Sequence, residues 1–133
     1  MSSDPGDIVK AAQEAMELAY SPYSGFAVGA AVRGGSGRIY SGCNIENAAY
    51  PEGWCAETSA ISALIMAGES KIIEVAVAGG GDEPCTPCGG CRQRLREFAH
   101  SDTPLHVCSP EGVRMTTTLG ELLPHSFGPE NLE

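Results

Sequence analysis

WCAETSAISALIMAGESKIIEVAVAGGGDEPCTPCGGC, residues 54–91, is the stretch on which the fold turns. From Trp54 to about Gly68 the pattern is helical, with Ala56, Ala60, Ala63, Leu64 and Ala67 on or near one face. Ile72 to Ala78 is apolar on both faces, as in a strand at the middle of a sheet. A loop through Gly79-Gly80-Gly81-Asp82-Glu83-Pro84 leads to a second helix from Cys88 to Phe98, with Leu95, Phe98 and Ala99 as its apolar contacts. Each helix starts on thiols: Cys55 on the first, Cys88 and Cys91 on the second. Neighbouring helix starts can converge at one end of a sheet, so the three thiols can meet there.

Outward from this kernel, the chain before it reads as a helix and a hairpin. Asp4 caps a helix whose first turn holds Pro5, Gly6 and Asp7. Ile8, Ala12, Ala15 and Ala19 share its inner face, with Val9 and Met16 beside it. Tyr20-Ser21-Pro22-Tyr23-Ser24-Gly25 ends it in a loop. Phe26 to Val32 reads as a strand, Gly34-Gly35-Ser36-Gly37 as a turn, and Arg38 to Gly42 as the return strand. Gly29 within the first strand points to close approach by another backbone or a ligand. After the kernel come strands at Leu105–Cys108 and Val113–Thr117 and a short helix at Leu119–Leu123. This order predicts a three-layer α/β/α sandwich with a mixed five-stranded sheet, and residues 1–133 read as one domain.

Composition narrows the function. The 133 residues are 42% hydrophobic, enough for a core, and carry a net charge of -9. Such an acidic chain does not suit a phosphate backbone, so no polymeric nucleic acid is expected as partner. No apolar run reaches membrane-spanning length, and residues 1–6 lack a signal-peptide layout. The expected location is the cytoplasm. There, six cysteines read as metal ligands and buried thiols rather than disulfides.

Three thiolates hold Zn²⁺ and leave one tetrahedral corner open for water, the mark of a catalytic site. The candidate ligands are Cys55, Cys88 and Cys91, with one Zn²⁺ per chain. Glu57, two residues after Cys55, is a carboxylate able to take a proton and pass it on. Helix N-termini favour thiolates there by their dipoles and free N–H groups. Pro84-Cys85-Thr86-Pro87-Cys88 also fits a Pro-Cys-x-x-Cys step. Cys88 and Cys91 are preferred because Gly89 and Gly90 let the loop curl round a metal and present N–H groups to sulfur. Pro87 has no N–H to donate. Cys85 is then a bystander, and Cys43 and Cys108 read as core residues. Two other uses of the thiols stay open: an iron–sulfur ligand set from Cys85-x-x-Cys88-x-x-Cys91, and a closed structural zinc site. Neither has a use for Glu57, and the iron–sulfur pattern lacks a fourth Cys soon after Cys91.

With these motifs in order, the sequence resembles the small, free-nucleoside cytidine deaminases from about Tyr20 to Leu132. Ser21-Pro22-Tyr23-Ser24-x-Phe26-x-Val28-Gly29-Ala30-Ala31 is similar to the family's opening motif. Gly42-Cys43-Asn44-x-Glu46-Asn47-Ala48-x-Tyr50 resembles its ribose-binding segment. Cys55-Ala56-Glu57 and Pro87-Cys88-x-x-Cys91-Arg92-Gln93 resemble its zinc site. The resemblance implies zinc-dependent hydrolytic deamination of cytidine and deoxycytidine, in pyrimidine salvage, with Glu57 as base and then acid. It implies that Asn44 and Glu46 bind the ribose hydroxyls, Phe26 packs on the pyrimidine, and the backbone at Ala56 contacts the base. It further implies a homotetramer with shared sites, Tyr50 and Phe127 reaching toward a neighbouring subunit.

One position departs. The family often has Arg directly after the catalytic Glu, where this chain has Thr58. That Arg is expected to soften the charge of the thiolates, and Arg92 is the nearest replacement by sequence. Two rival readings remain: a zinc- or nucleoside-binding protein without catalysis, and deamination of another cytosine-bearing compound.

Overall fold

The computed structural model describes residues 6–133, so the Asp4 cap lies outside the described residues. Helix α1 spans Gly6–Met16, strand β1 Val28–Gly34, β2 Ile39–Cys43, helix α2 Ala56–Met66 and β3 Ile72–Gly79. Then follow α3 Gly89–Phe98, β4 Pro104–Ser109, β5 Gly112–Thr118 and α4 Leu119–Leu122. The strands form one sheet in the order β2-β1-β3-β4-β5, with β3 at its centre. β1 runs antiparallel to β2 and β3, β3 is parallel to β4, and β4 is antiparallel to β5. The sheet is mixed because one connection differs. Parallel neighbours need a crossover, and α3 supplies it between β3 and β4.

Period-two alternation divides the strand residues between two cores. Ala30, Val32, Val75, Val77, Leu105 and Val107 point to one face, against Ala56, Ala60, Ile61 and Leu64 of α2 and Leu95 of α3. Ala31, Ala76, Ala78 and Cys108 point to the other, against Ile8, Val9 and Ala12 of α1. The α1 side is lined by small residues, which bring that helix close. At Gly29 a Cβ would fall on the backbone of Ala12 and Met16, so the close approach read from this glycine is made by α1.

Three expectations change in detail. Strand β1 begins at Val28, because the Val28 N–H donates to the Asn44 side chain (2.9 Å) and Phe26 lies in the loop before it. Helix α2 begins at Ala56, with Cys55 as its N-cap in extended backbone and Trp54 paired with Ile45. Cys108 is buried, but Cys43 is only half-buried: it ends β2, the sheet's edge, and its thiol faces the Leu18 carbonyl (3.6 Å).

Candidate active site

Both thiol-bearing helices start at the same end of the sheet. Cys55 is the N-cap of α2 and Cys88 the N-cap of α3, each in extended backbone, and Cys91 lies in the first turn of α3. The Cys55 thiol makes no capping bond to its own helix. The sulfur atoms of Cys55, Cys88 and Cys91 all lie within 4.8 Å of one another. Cys85 is half-buried, packs against the α2-side core and stands outside this group. Tetrahedral Zn–S bonds of about 2.3 Å place sulfur pairs about 3.8 Å apart, so a zinc ion asks this cluster to tighten by at most about 1 Å. Soft thiolates at helix N-termini are a donor set that suits zinc.

The thiols are not equivalent. Burial pushes the Cys55 thiol up. It also pushes Cys91 up strongly, and the charge of Glu57 adds to this. Cys88 is held below the ordinary thiol range because the Cys91 backbone N–H donates to its sulfur. That N–H belongs to a free helix start, the kind of donor expected from the Gly89-Gly90 loop. Glu57 is only 5% exposed, and burial pushes its carboxyl up. Its own backbone N–H, the Cys91 thiol and the charge of Arg94 temper the rise. A carboxyl raised from its usual value is nearer the working pH, which is what a group that both takes and returns a proton requires.

The loop from Asn44 to Trp54 is fastened to both sides of the site. Ile45 and Trp54 exchange backbone hydrogen bonds of 2.9 and 2.8 Å, and Glu46 N–H donates to the Tyr20 carbonyl (2.8 Å). The Asn44 amide accepts from Val28 N–H (2.9 Å) and donates to the Phe26 carbonyl (3.0 Å). Glu46 accepts from the N–H groups of Tyr23 (2.9 Å) and Ser24 (3.1 Å) and from the Ser24 hydroxyl, which holds its carboxyl below the usual range. Both side chains thus brace the 20–28 segment. A cavity of about 320 Å³ is lined by Tyr23, Ser24, Glu46, Asn47, Tyr50 and Gly53.

The other expected residues take distinct places. Ala56 is buried at the start of α2. Phe26, 42% exposed, lies over the end of β3 near Gly79 and Gly81 rather than in the core. Tyr50 is 76% exposed and stands edge-on to Tyr23 at 6.2 Å. Phe127 is 57% exposed, its carbonyl accepting from Gln93 (2.9 Å).

Arg92 is not the cation of the cluster. Its guanidinium donates to the carbonyls of Pro87 (2.7 Å) and Leu122 (2.7 Å) and to the Thr86 hydroxyl (3.1 Å). Adjacent residues on a helix point in different directions, so nearness in sequence misdirected the expectation. The arginine that reaches the cluster is Arg94, whose Nη1 lies 3.8 Å from Cys91 Sγ. The signal for it was its three-residue step from Cys91, one turn along the same helical face.

The family model for the cytidine and deoxycytidylate deaminase zinc-binding region matches residues 2–107. A cytidine deaminase of Sporosarcina psychrophila is 39% identical over 129 residues, covering 97% of this chain and 95% of that one. One from Mycobacterium tuberculosis is 40% identical over 121 residues, covering 91% and 87%. Among solved structures, the Burkholderia pseudomallei cytidine deaminase superposes with a TM-score of 0.86 at 37% identity, covering 96% of this chain and all of that one (100%). The Mycobacterium tuberculosis enzyme does so at 0.81 and 38%, covering 96% and 99%.

Proposed function

The chain belongs to the cytidine and deoxycytidylate deaminase family, and on that premise we propose that it deaminates cytidine and deoxycytidine hydrolytically to uridine and deoxyuridine, releasing ammonia. The observation that carries this reading is the meeting of three thiols at two helix starts beside the buried carboxyl of Glu57. Zinc binds at that cluster.

In this reading Cys55, Cys88 and Cys91 hold the ion. Zinc, when bound, supplies a water activated for attack on C4 of the pyrimidine. Glu57 takes a proton from the attacking water and delivers it to ring N3. It then carries the second proton to the exocyclic amine, which leaves as ammonia. The same carboxyl is base and then acid, so it must lie beside the metal without being bound to it. Asn44 and Glu46 hydrogen-bond the ribose hydroxyls, each using oxygen lone pairs beyond those that brace the 20–28 segment. Phe26 packs on the pyrimidine face, and the backbone at Ala56 contacts the base.

The finer reading has the chain act as a single domain, residues 1–133, within a cytoplasmic homotetramer that serves pyrimidine salvage. Tyr50 and Phe127 contribute to a neighbouring subunit's site. Their exposure supports this, because an aromatic ring left largely in water gains most from a partner surface. No helix among the described residues is long and apolar enough to cross a membrane.

The test is mass spectrometry of cytidine incubated with zinc-replete protein. Uridine formation abolished by a chelator is the expected result. A folded, zinc-loaded protein that leaves both cytidine and deoxycytidine unchanged would overturn the reading.

A further inference from the structure

Three thiolates against one dication leave a loaded centre with excess negative charge, and such a centre near the interior needs a cation close by. Position 58, beside Glu57, holds a buried threonine. Its hydroxyl lies 3.8 Å from Cys91 Sγ and 3.3 Å from Arg94 Nη1. Arg94 Nη1 is in turn 3.8 Å from the same sulfur, which closes a triangle of guanidinium, hydroxyl and ligand sulfur.

The local sequence accounts for this placement. Arg94 follows Cys91 by three residues on α3, so their side chains share a face. The guanidinium passes over Gly90 within van der Waals reach, 3.4 Å from Nη1 and 3.9 Å from Cζ to where a Cβ would stand. The other two arginines of α3 are committed elsewhere. Arg92 holds backbone carbonyls, and Arg96 donates to Ser126 (2.8 Å) and Glu130 (2.8 Å). Arg94 forms no ion pair among the described residues.

We infer that Arg94, held by the Thr58 hydroxyl, is the positioning residue that offsets the thiolate charge of the zinc centre, approaching from α3 instead of from the position after Glu57. The inference rests on the proposed zinc site but not on the substrate. Zinc displaces the thiol protons and leaves the site anionic, so a fixed cation favours the loaded state over the empty one.

The experiment is zinc competition against a chromophoric chelator at neutral pH, with wild type, Arg94→Gln and Arg94→Lys. Arg94→Gln is expected to weaken zinc binding about tenfold or more, the usual scale for a group just outside the ligand shell. Arg94→Lys is expected to restore most of it, because the charge is kept. Unchanged affinity in Arg94→Gln would overturn the inference, and so would an equal loss in both variants, since packing rather than charge would then be at work. Zinc affinity is read without turnover. A wild type that binds zinc and leaves cytidine intact therefore counts against the proposed reaction and not against Arg94.

Discussion

At the scale of single residues, the site separates groups that hold from groups that move protons. The three thiols differ in acidity because one accepts a helix-start N–H while removal from water raises the other two, half-buried Cys55 and buried Cys91. Glu57 is buried beside them but is not one of the clustered ligands. Replacing it with Gln keeps the shape and removes the proton carrier. We expect Glu57→Gln to keep its zinc, measured by metal analysis, and to lose about 10²–10⁴-fold in kcat for cytidine. Near-normal turnover would strip Glu57 of the role. The ligand set was legible in the sequence because Cys55-x-Glu57 and Cys88-x-x-Cys91 are local spacings that a helix start turns directly into geometry. The cation was not. Arg92 and Arg94 are both plausible by distance along the chain, and only the face each presents to α2 separates them.

At the scale of elements, two contacts set how the layers meet. The first is α1 against β1, where Gly29 lets the helix backbone lie on the strand. Gly29→Ala pushes α1 outward, and a cost of about 1–3 kcal/mol is expected from overpacking, seen as a lower denaturant midpoint. The second ties the β1–β2 hairpin to the end of α2. Glu69 accepts from the Ser36 hydroxyl (2.6 Å), the Tyr40 hydroxyl (2.5 Å) and the Ser36 N–H (3.1 Å), and these bonds hold its carboxyl below the usual value of 4.5. Its folded pKa lies below the unfolded one. The stability it contributes is therefore present above 4.5 and is lost as pH falls through the lowered value. Wild type is expected to melt above Glu69→Gln at neutral pH, with the gap closing on acidification. A gap independent of pH would mean that the charge of Glu69 is not what fastens the turn. The hairpin itself followed from Gly34-Gly35-Ser36-Gly37. Its anchor did not, because the partner lies more than thirty residues away.

At the scale of the whole molecule, a mixed sheet between α1 on one side and α2 with α3 on the other carries the site at the end where α2 and α3 begin. The proposed tetramer belongs to this scale. Light scattering is expected to give four chain masses, and Tyr50→Ala is expected to weaken cytidine binding without loss of zinc. A monomer with full activity would remove both the tetramer and the shared site. The order of elements and the identity of the ligands could be read from local sequence alone. Apolar periodicity, glycine turns and fixed cysteine steps act over a few residues and survive in any packing. Packing of distant segments settled which arginine faces the cluster and how Asn44 and Glu46 are braced. Those outcomes depend on how α2, α3 and the 20–28 segment sit against one another. That placement is a sum over many weak contacts between residues far apart in the chain, and no local pattern records it.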